Sequence, residues 1–381
     1  MSGSGEKRGL IDRIRAEAGE TGVPFRRFME MCLYDSGDGF YAGPGAAVGR
    51  EGHFLTSVTV SRLFGHMLAQ QILEVWLRLG RPEPFALIEQ GAHGGRLALD
   101  VLGWCRDFAP GLFRASRYRV VEPFAHWRAR QSAALGAAGF GERLEHFASL
   151  RDLAAAPMAG VVFCNELLDA FPVPRVRFDG GAWREMRAGW RGERFEWVEG
   201  PAVSGDLAAM VARLPLPPIA GYSTEIHDGL RRWLREASGA LAQGAVFAFD
   251  YGFPEGGYYD PARRDGTIRA YRRHRLSNDV LADPGEQDIT AHVNWTELVA
   301  AAPDAGLESL GIADQHHFAV GLLEGDLRRL EGSGATAGLA AAFRAIAHPE
   351  GMGRQFAVAG FRKGLARGDP LGGFRFARFF V

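Results

Sequence analysis

The chain has 381 residues, of which 47% are hydrophobic and 23% charged, and its formal net charge at pH 7 is −1. This composition is typical of a globular protein with one large or two intertwined domains. The near-neutral charge excludes a general electrostatic attraction to nucleic acid or to an anionic membrane surface.

The first 80 residues are predicted to be mainly helical. Apolar residues at helical spacing predict one helix around Leu10–Ile14, a second over 24–33 and a third over 61–80. Between the second and the third lies a glycine-rich segment with aromatic residues. Long ordered loops in compact domains tend to be functional, so we expect this loop to contribute to a site.

From residue 85 onward, apolar strands alternate with helices. Strands are predicted over 85–89, 118–122, 160–166 and 245–252, and helices over 96–105, 126–135 and 227–242. Continuous apolar strands separated by helices indicate a parallel α/β sheet that is covered on both faces. Residues 173–200 differ, because short alternating segments around Gly180-Gly181 predict an antiparallel hairpin.

The segment EQGAHGG (89–95) follows the first of these strands and precedes a helix. Its glycines allow a sharp turn, and the N–H groups at the helix start could hold a phosphate or the carboxylate and ribose of S-adenosylmethionine. Glu122 ends the next strand, where a carboxylate can accept hydrogen bonds from both hydroxyls of a ribose. Taken alone, the glycine segment also fits an ordinary turn between a strand and a helix. Taken alone, Glu122 also fits an exposed carboxylate at a strand end.

Polar residues end the strand predicted over 160–166. Asn165 and Glu166 come last, and Asp169 follows shortly after them. Open α/β sheets bind ligands at this end of their strands. Because Glu166 and Asp169 are three residues apart, a helical turn would place both carboxylates on one face, where they could hold a guanidinium or ammonium group. Acids that merely favour a helix N-terminus are the alternative interpretation.

Asp288 and His292 lie in a polar stretch, PGEQDITAHVNW (284–295). A histidine close to acids could be a general base or a metal ligand, but the spacing matches no standard zinc pattern, so we expect no metal. Six arginines between residues 263 and 275 could be solvated or could hold an acidic partner. No RNA-binding motif accompanies them, so we expect no nucleic-acid partner.

Several features of the sequence indicate the cellular compartment of the protein. The three cysteines lie among apolar neighbours without metal-binding spacing, which favours buried free thiols in a reducing environment. No apolar run approaches the roughly 18 residues of a membrane span. The first 22 residues lack the apolar core of a signal peptide and contain acids that are unusual in transit peptides. We therefore expect a cytoplasmic protein without a membrane span.

Nine segments, in this order, resemble the MidA family of S-adenosylmethionine-dependent methyltransferases over roughly residues 24–325. They are FMEMCLYDSGDGFY (28–41), GHFLTSVTVSRLFG (52–65), EQGAHGGRLALDVL (89–102), RVVEP (119–123), CNELLDAFPV (164–173), DYG (250–252), GTIRAYRRH (266–274), PGEQDITAHVNW (284–295) and DQHHF (314–318).

This resemblance implies an α/β fold: a class I methyltransferase, Rossmann-like sheet of seven strands whose last pair is antiparallel. It further implies an N-terminal helical segment and an inserted substrate-binding region. The expected domains are N-terminal helices with a cofactor-covering loop at 1–65, and a methyltransferase core at 66–381. The inserted region is expected around 173–230 and 253–295.

The sequence departs from the family pattern in several cofactor-facing positions. His93 stands where the family has a glycine, His53 where it has an aspartate, and Val58-Thr59 where it has Pro-Glu. Glu122, the NELLD segment and the DYG segment all remain. We therefore expect an active enzyme of a distinct subfamily.

For this activity we expect roles for particular residues. S-adenosylmethionine would be held by Glu89, Gly91, His93, Gly95, Glu122 and Asn165, with Phe54 and Thr56 closing over it. Glu166, Asp169 and Asp288 would face the methyl acceptor, and His292 would serve as a base.

The function predicted from this resemblance is N-methylation of an arginine on a protein substrate. The family includes a mitochondrial protein that methylates an arginine of a complex I subunit. Two alternatives stay open: methyl transfer to a small molecule or another peptide, and a non-catalytic cofactor-binding assembly factor. A homodimer is compatible with the sequence. The tail LGGFRFARFFV (371–381) is predicted to form an edge strand, with a partner-binding segment as the alternative.

Overall fold

The computed structural model describes residues 6–43, 61–272, 275–277, 279–330 and 352–378. The chain divides into two compact units, each built from separate stretches. The first, here called the antiparallel unit, comprises Met1–Phe54, Leu168–Leu230 and Phe253–Asn294. The second, called the sheet unit, comprises Leu55–Leu167, Arg231–Gly252 and Trp295–Val381.

The helices of the described residues are, in chain order, α1 (Glu6–Ala18), α2 (Phe25–Tyr34), α3 (Leu63–Arg78), α4 (Arg96–Phe108), α5 (Pro110–Ala115), α6 (Ala125–Ala137), α7 (Leu150–Leu153), α8 (Gly205–Arg213), α9 (Leu230–Gly239), α10 (Glu255–Tyr258), α11 (Trp295–Ala300) and α12 (Gln315–Leu330). None of the helices in this part of the chain combines the length and the apolar character needed to span a bilayer.

The strands are β1 (Val23–Pro24), β2 (Phe85–Gln90), β3 (Ser116–Val121), β4 (Leu144–Phe147), β5 (Met158–Asn165), β6 (Arg175–Phe178), β7 (Trp183–Arg191), β8 (Arg194–Ala202), β9 (Ser223–Glu225), β10 (Leu241–Phe253), β11 (Arg269–Arg272), β12 (Arg275–Ser277), β13 (Asp288–Thr290), β14 (Val293–Asn294), β15 (Glu308–Asp314) and β16 (Phe356–Lys363).

Seven strands form the central sheet of the sheet unit, in the order β15-β16-β10-β5-β2-β3-β4. The pairs from β10 to β4 are parallel, whereas β16 runs antiparallel to both β10 and β15. Residues 161–164 of β5 are all buried, as expected for a parallel strand covered on both faces. The predicted Rossmann-like sheet with an antiparallel last pair is confirmed.

The antiparallel unit contains two smaller sheets. The larger has the order β1-β7-β6-β9, and β8 also pairs with β7. The predicted hairpin is confirmed, because β6 and β7 pair antiparallel on either side of Gly180-Gly181. The second sheet has the order β12-β11-β13 and lies within residues 253–295, where part of the inserted region was expected.

The C-terminal tail differs from the expected edge strand. Residues Gly372–Phe374 form a short 3-10 helix, and the only strand-like contact within the described tail is one antiparallel bridge between Arg378 and Ile312. The reason is packing: the Phe374 ring is buried and stacks on Phe247, with ring centroids 5.5 Å apart. A strand would place Phe374 and Phe376 on the same face, whereas Phe374 is buried and Phe376 is exposed.

Candidate active site

The ends of β2, β3 and β5 bring three predicted cofactor residues to one edge of the sheet. In the parallel register, Gln90 lies opposite the last residue of β3 and the next-to-last residue of β5. Gly91, Glu122 and Asn165 therefore reach the carboxyl-terminal edge side by side, on strands spaced by roughly 4.8 Å. Ligands of open α/β sheets bind at this edge.

The turn after β2 depends on two glycines. Gly91 and Gly95 both have a φ of 80°, which favours glycine. A Cβ atom on Gly91 would lie 3.1 Å from Leu167, and one on Gly95 would lie 2.9 Å from Leu135. The turn thus combines a left-handed backbone with close packing, and α4 begins directly after it. Its first N–H groups are available to a negatively charged ligand group.

His93 adopts a backbone conformation that glycine would adopt more easily. Its φ is 42°, and left-handed geometry costs a non-glycine residue roughly 1–2 kcal/mol. The imidazole ring packs edge-to-face against Trp127 of α6, with centroids 5.5 Å apart. Burial lowers the pKa of His93 to about 4, so the ring is neutral at pH 7. The histidine side chain is therefore anchored on α6.

We expect replacement of His93 by glycine to have a small effect. His93→Gly removes the ring contact, worth about 0.5–1.5 kcal/mol, but relieves left-handed strain of similar size. Urea denaturation should show a change in the free energy of unfolding of less than about 1 kcal/mol. Calorimetry should give a cofactor dissociation constant within about threefold of the parent value. A change of tenfold or more would mean that the ring contacts the cofactor.

Glu122 is held in place by its own loop. Its backbone N–H donates to Phe147 at 2.9 Å, and its Oε1 accepts a hydrogen bond from the Phe124 N–H at 3.0 Å. Burial raises the pKa of Glu122 to about 6, although the Phe124 bond partly offsets this effect. The carboxyl group is ionised at pH 7 and can accept hydrogen bonds from ligand hydroxyls.

Asn165 adds a buried acceptor at the same edge. Its Nδ2 donates to Glu166 at 3.0 Å, while its Oδ1 is buried and has no donor among the described residues. A buried carbonyl oxygen of this kind suits a ligand hydroxyl or amino group. The glycine turn, Glu122 and Asn165 therefore fit S-adenosylmethionine, the cofactor expected from the resemblance.

Glu89 lies one residue inside the edge, and its side chain is buried. Its Oε2 accepts a hydrogen bond of 2.6 Å from the Tyr118 hydroxyl of β3. Burial raises the pKa of Glu89 to about 7, with the Tyr118 bond acting in the opposite direction. This carboxyl group is therefore partly protonated at neutral pH, and its contact with the cofactor stays a prediction.

The expected helical turn over Glu166 and Asp169 is wrong. Residues 166–169 contain no helix, because Glu166 has a φ of 50° directly after β5. Its backbone N–H donates to Phe249 at 2.9 Å, which fixes the turn. Sparsely populated backbone conformations concentrate at functional sites, and this one lies beside Asn165 at the ligand edge. Glu166 thus belongs to the sheet unit and does not share a helical face with Asp169.

In the antiparallel unit, Asp169 and Asp288 are brought together despite their separation in sequence. Both are buried, and Tyr41 donates a 2.7 Å hydrogen bond to Asp288 Oδ1. Burial raises the pKa of Asp288 to about 7, and the charge of Asp169 adds to the rise against the Tyr41 bond. Tyr271 of β11 pairs with Asp288 of β13, so it lies beside this pair. Burial raises the pKa of Tyr271, and the charges of both aspartates add to the rise.

The backbone around Asp169 is held by three separate elements. The carbonyl oxygens of residues 168–170 accept hydrogen bonds from His227 Nε2 at 2.8 Å, the Ala291 N–H at 2.8 Å and the Tyr34 hydroxyl at 2.9 Å, in that order. Burial lowers the pKa of His227 to about 4, so its neutral ring carries the Nε2 proton that this bond requires. Asp169 is therefore presented on a rigid turn.

His292 lies in the same unit, stacked on Phe253 with ring centroids 5.0 Å apart. Its backbone N–H donates to Thr267 Oγ1 at 3.0 Å. Burial lowers the pKa of His292 to about 4, and the charges of Arg263 and Arg269 lower it further. The imidazole is neutral at pH 7 and can accept a proton, but its role as a base stays a prediction.

The predicted site residues thus form two groups. Those at the sheet edge and those around Asp169 are each brought together within their own unit, while Phe54 and Thr56 lie outside the described residues. Sequence reasoning missed Tyr41 and Tyr271, although both fall in segments that carry the family resemblance. It also missed Gln131, a fully buried residue in the middle of α6 that no motif indicates.

Comparisons with known proteins agree with this geometry. A family model described as "Putative S-adenosyl-L-methionine-dependent methyltransferase" matches residues 67–313. The mitochondrial protein arginine methyltransferase NDUFAF7 homolog of Drosophila melanogaster is 27% identical over 316 residues, which cover 75% of this chain and 68% of that protein. Human NDUFAF7, named a mitochondrial protein arginine methyltransferase, is 25% identical over 328 residues, covering 78% and 69%.

A solved structure matches almost the whole chain. A Burkholderia thailandensis protein bound to S-adenosyl-homocysteine superposes with a TM-score of 0.86 and 31% identity. The superposition covers 98% of this chain and 96% of that protein. The two chains therefore share the complete fold.

Proposed function

Because this chain belongs to the family of S-adenosylmethionine-dependent methyltransferases whose model matches residues 67–313, we propose that it N-methylates an arginine side chain of a protein. Its enzyme class and its cofactor, S-adenosylmethionine, follow from the family. What we propose beyond the family is the methyl acceptor, an arginine side chain. The observation that carries it is the buried pair Asp169 and Asp288, with two tyrosines beside it.

Two carboxylates suit a guanidinium group better than most other acceptors. A planar guanidinium offers five N–H donors, so it can donate to both carboxylates while one nitrogen stays available for reaction. The rings of Tyr41 and Tyr271 add faces on which such a cation packs favourably. A cation would offset the negative charge that the two buried carboxyl groups carry, which a neutral metabolite would not do.

The raised pKa of Asp288 also suits the chemistry. The cofactor supplies a methyl group bound to a positively charged sulfur. The accepting nitrogen must lose a proton as its bond to the methyl carbon forms, and a carboxylate with a pKa of about 7 accepts that proton more readily than an ordinary one. Asp169, on its rigid turn, would orient the guanidinium by hydrogen bonds to the other nitrogens.

The names of the curated relatives support the same acceptor. Both relatives described above are named protein arginine methyltransferases, and each alignment covers at least two thirds of either protein. At about 25% identity the protein that is methylated can differ from that of the relatives, so we propose only the kind of side chain that is methylated.

A labelling experiment tests the proposal. The purified protein and S-adenosylmethionine with a labelled methyl group are incubated with cell-extract proteins and, separately, with the small metabolites of the same extract. We expect label in the protein fraction, recovered as methylarginine after hydrolysis, and a rate of labelling that is lower by roughly 10²-fold or more with the Asp288→Asn variant. Label confined to metabolites, or to another amino acid, would refute arginine methylation and favour the small-molecule or other-peptide alternative.

The pH dependence provides a further prediction. Below pH 7 Asp288 is mostly protonated and neutral, whereas above pH 7 it becomes a carboxylate that can bind a guanidinium and accept its proton. With the acceptor subsaturating, kcat/KM should therefore rise severalfold between pH 6 and pH 8 and level off above that. The rising limb should disappear in Asp288→Asn. A profile that falls over this range would contradict the assigned role.

A further inference from the structure

Three residues of α6 form a single stripe against the cofactor edge. Trp127, Gln131 and Leu135 are spaced by four residues, so they point to the same side of the helix. Trp127 packs against the ring of His93, and Leu135 occupies the space where a Cβ on Gly95 would lie. The glycine turn therefore rests on α6 at both of its ends.

Gln131, at the centre of the stripe, joins two loops and strand β4 through its amide. Its Nε2 donates to the backbone oxygen of His93 at 2.7 Å and points its second proton towards Glu122 Oε2 at 3.5 Å. Its Oε1 lies 3.0 Å from His146 Nε2 in β4. The amide orientation is fixed by these neighbours, because only the nitrogen can donate to a backbone carbonyl oxygen.

Because Gln131 is buried, loss of its hydrogen bonds would be energetically unfavourable. The side chain is fully buried, and a buried amide is tolerated only when its polar atoms are hydrogen-bonded. Here the bonds connect the turn that precedes α4 with the carboxylate that follows β3. Burial and the charge of Arg128 lower the pKa of His146, so this ring is neutral and can donate its Nε2 proton to Gln131.

We infer that Gln131 is a positioning residue for S-adenosylmethionine: it fixes the glycine turn relative to Glu122, so that both contact the cofactor at once. Without the amide, the turn and the carboxylate would each keep their own local bonds but would lose the link between them. Ligand binding would then have to order both groups, at a cost in affinity.

Calorimetry on the whole 381-residue chain tests this inference with S-adenosyl-homocysteine as the ligand. Gln131→Met keeps the length and volume of the side chain but cannot donate a hydrogen bond. We expect its dissociation constant to rise roughly tenfold, as for loss of about one buried hydrogen bond. In steady-state assays the KM for S-adenosylmethionine should rise similarly, while kcat stays within about threefold.

A matched control separates positioning from general destabilisation. Gln71 of α3 is equally buried in the same unit, and its amide binds the Gly373 N–H and Glu74. Gln71→Met should lower stability by a similar amount while leaving cofactor affinity unchanged. If both variants weaken the ligand equally, Gln131 has only a structural role and the inference is overturned.

A double-mutant cycle adds a second readout, which compares both single variants with the double variant. Because Gln131 acts partly through Glu122, the combined effect of Gln131→Met and Glu122→Gln on the dissociation constant should be at least threefold smaller than the product of the single effects. Multiplicative effects, within experimental error, would show that the two side chains act independently and would also overturn the inference.

Discussion

Replacing Glu122 by alanine is expected to weaken cofactor binding by about 10- to 150-fold. Glu122 is the carboxylate at the end of β3, where it can accept hydrogen bonds from both ribose hydroxyls. Loss of a charge-assisted hydrogen bond costs about 1.5–3 kcal/mol, which corresponds to this range. The measurement is a calorimetric titration of each variant with S-adenosylmethionine or S-adenosyl-homocysteine.

Two further variants make this result specific. Glu122→Gln keeps an oxygen that can accept the Phe124 N–H, so it preserves the loop while removing the charge. If only the alanine variant loses affinity, Glu122 merely holds its loop and does not bind the ribose. Glu145 of the neighbouring strand β4 is a carboxylate on the same sheet, paired with Arg119, and Glu145→Gln should bind the cofactor normally.

The second large effect is expected at Asp288. Asp288→Asn keeps the size of the side chain and an oxygen for the Tyr41 hydroxyl, but it removes the charge and the proton acceptor. We expect kcat to fall by roughly 10²–10³-fold, as when one electrostatic contact to a transition state is removed. Cofactor affinity, measured by calorimetry, should change by less than about threefold.

Stability distinguishes this catalytic role from a structural one. The pKa of Asp288 is raised on folding from 3.8 to about 7, so the folded chain retains a proton that the unfolded chain has lost. Folding stability attributable to this group therefore decreases as pH rises from about 4 to about 7. Asp288→Asn should abolish that decrease, which makes the variant at least as stable as the parent at pH 8 although it is far less active.

A control for Asp288 is available in the same unit. Asp283 pairs with Arg272 and is half-exposed, and Asp283→Asn should leave kcat within about twofold of the parent value. A similar loss of activity in both variants would mean that any lost charge in this unit disturbs catalysis. The assignment of Asp288 would then be untenable.

Much of the sheet edge could be predicted from the sequence because its signals are local. Apolar runs end in Gly91, Glu122 and Asn165, and parallel strands necessarily bring such ends together. The backbone at Glu166 could not be predicted, because a left-handed φ at a glutamate depends on the bond to Phe249, about 80 residues away. The same long-range bond explains why the expected helical turn over Glu166 and Asp169 does not form.

The remaining features depend on contacts that no short pattern encodes. Gln131 reads as an ordinary polar residue on a helix, and only the assembled sheet buries it. Strand β16 and helix α12 were not predicted, and the tail was assigned to a strand because its alternating Phe and Arg residues suggested one. In the structure, Gly360 and Gly373 leave the space in which Phe374 and Phe318 pack, which a period-two pattern does not reveal.

The hydrogen bond between Tyr41 and Asp288 spans 247 residues, and this has a consequence for biosynthesis. Strands β2 to β5 are consecutive and close together in sequence, so this half of the cofactor edge can begin to form as soon as residue 165 has left the ribosome. The acidic pair cannot form until about residue 290 has been translated, and at 5–20 residues per second the N-terminal helices wait roughly 10–50 s for their partner strand. During that interval a growing chain would already bear the strands of the cofactor edge, while the proposed acceptor site is still incomplete.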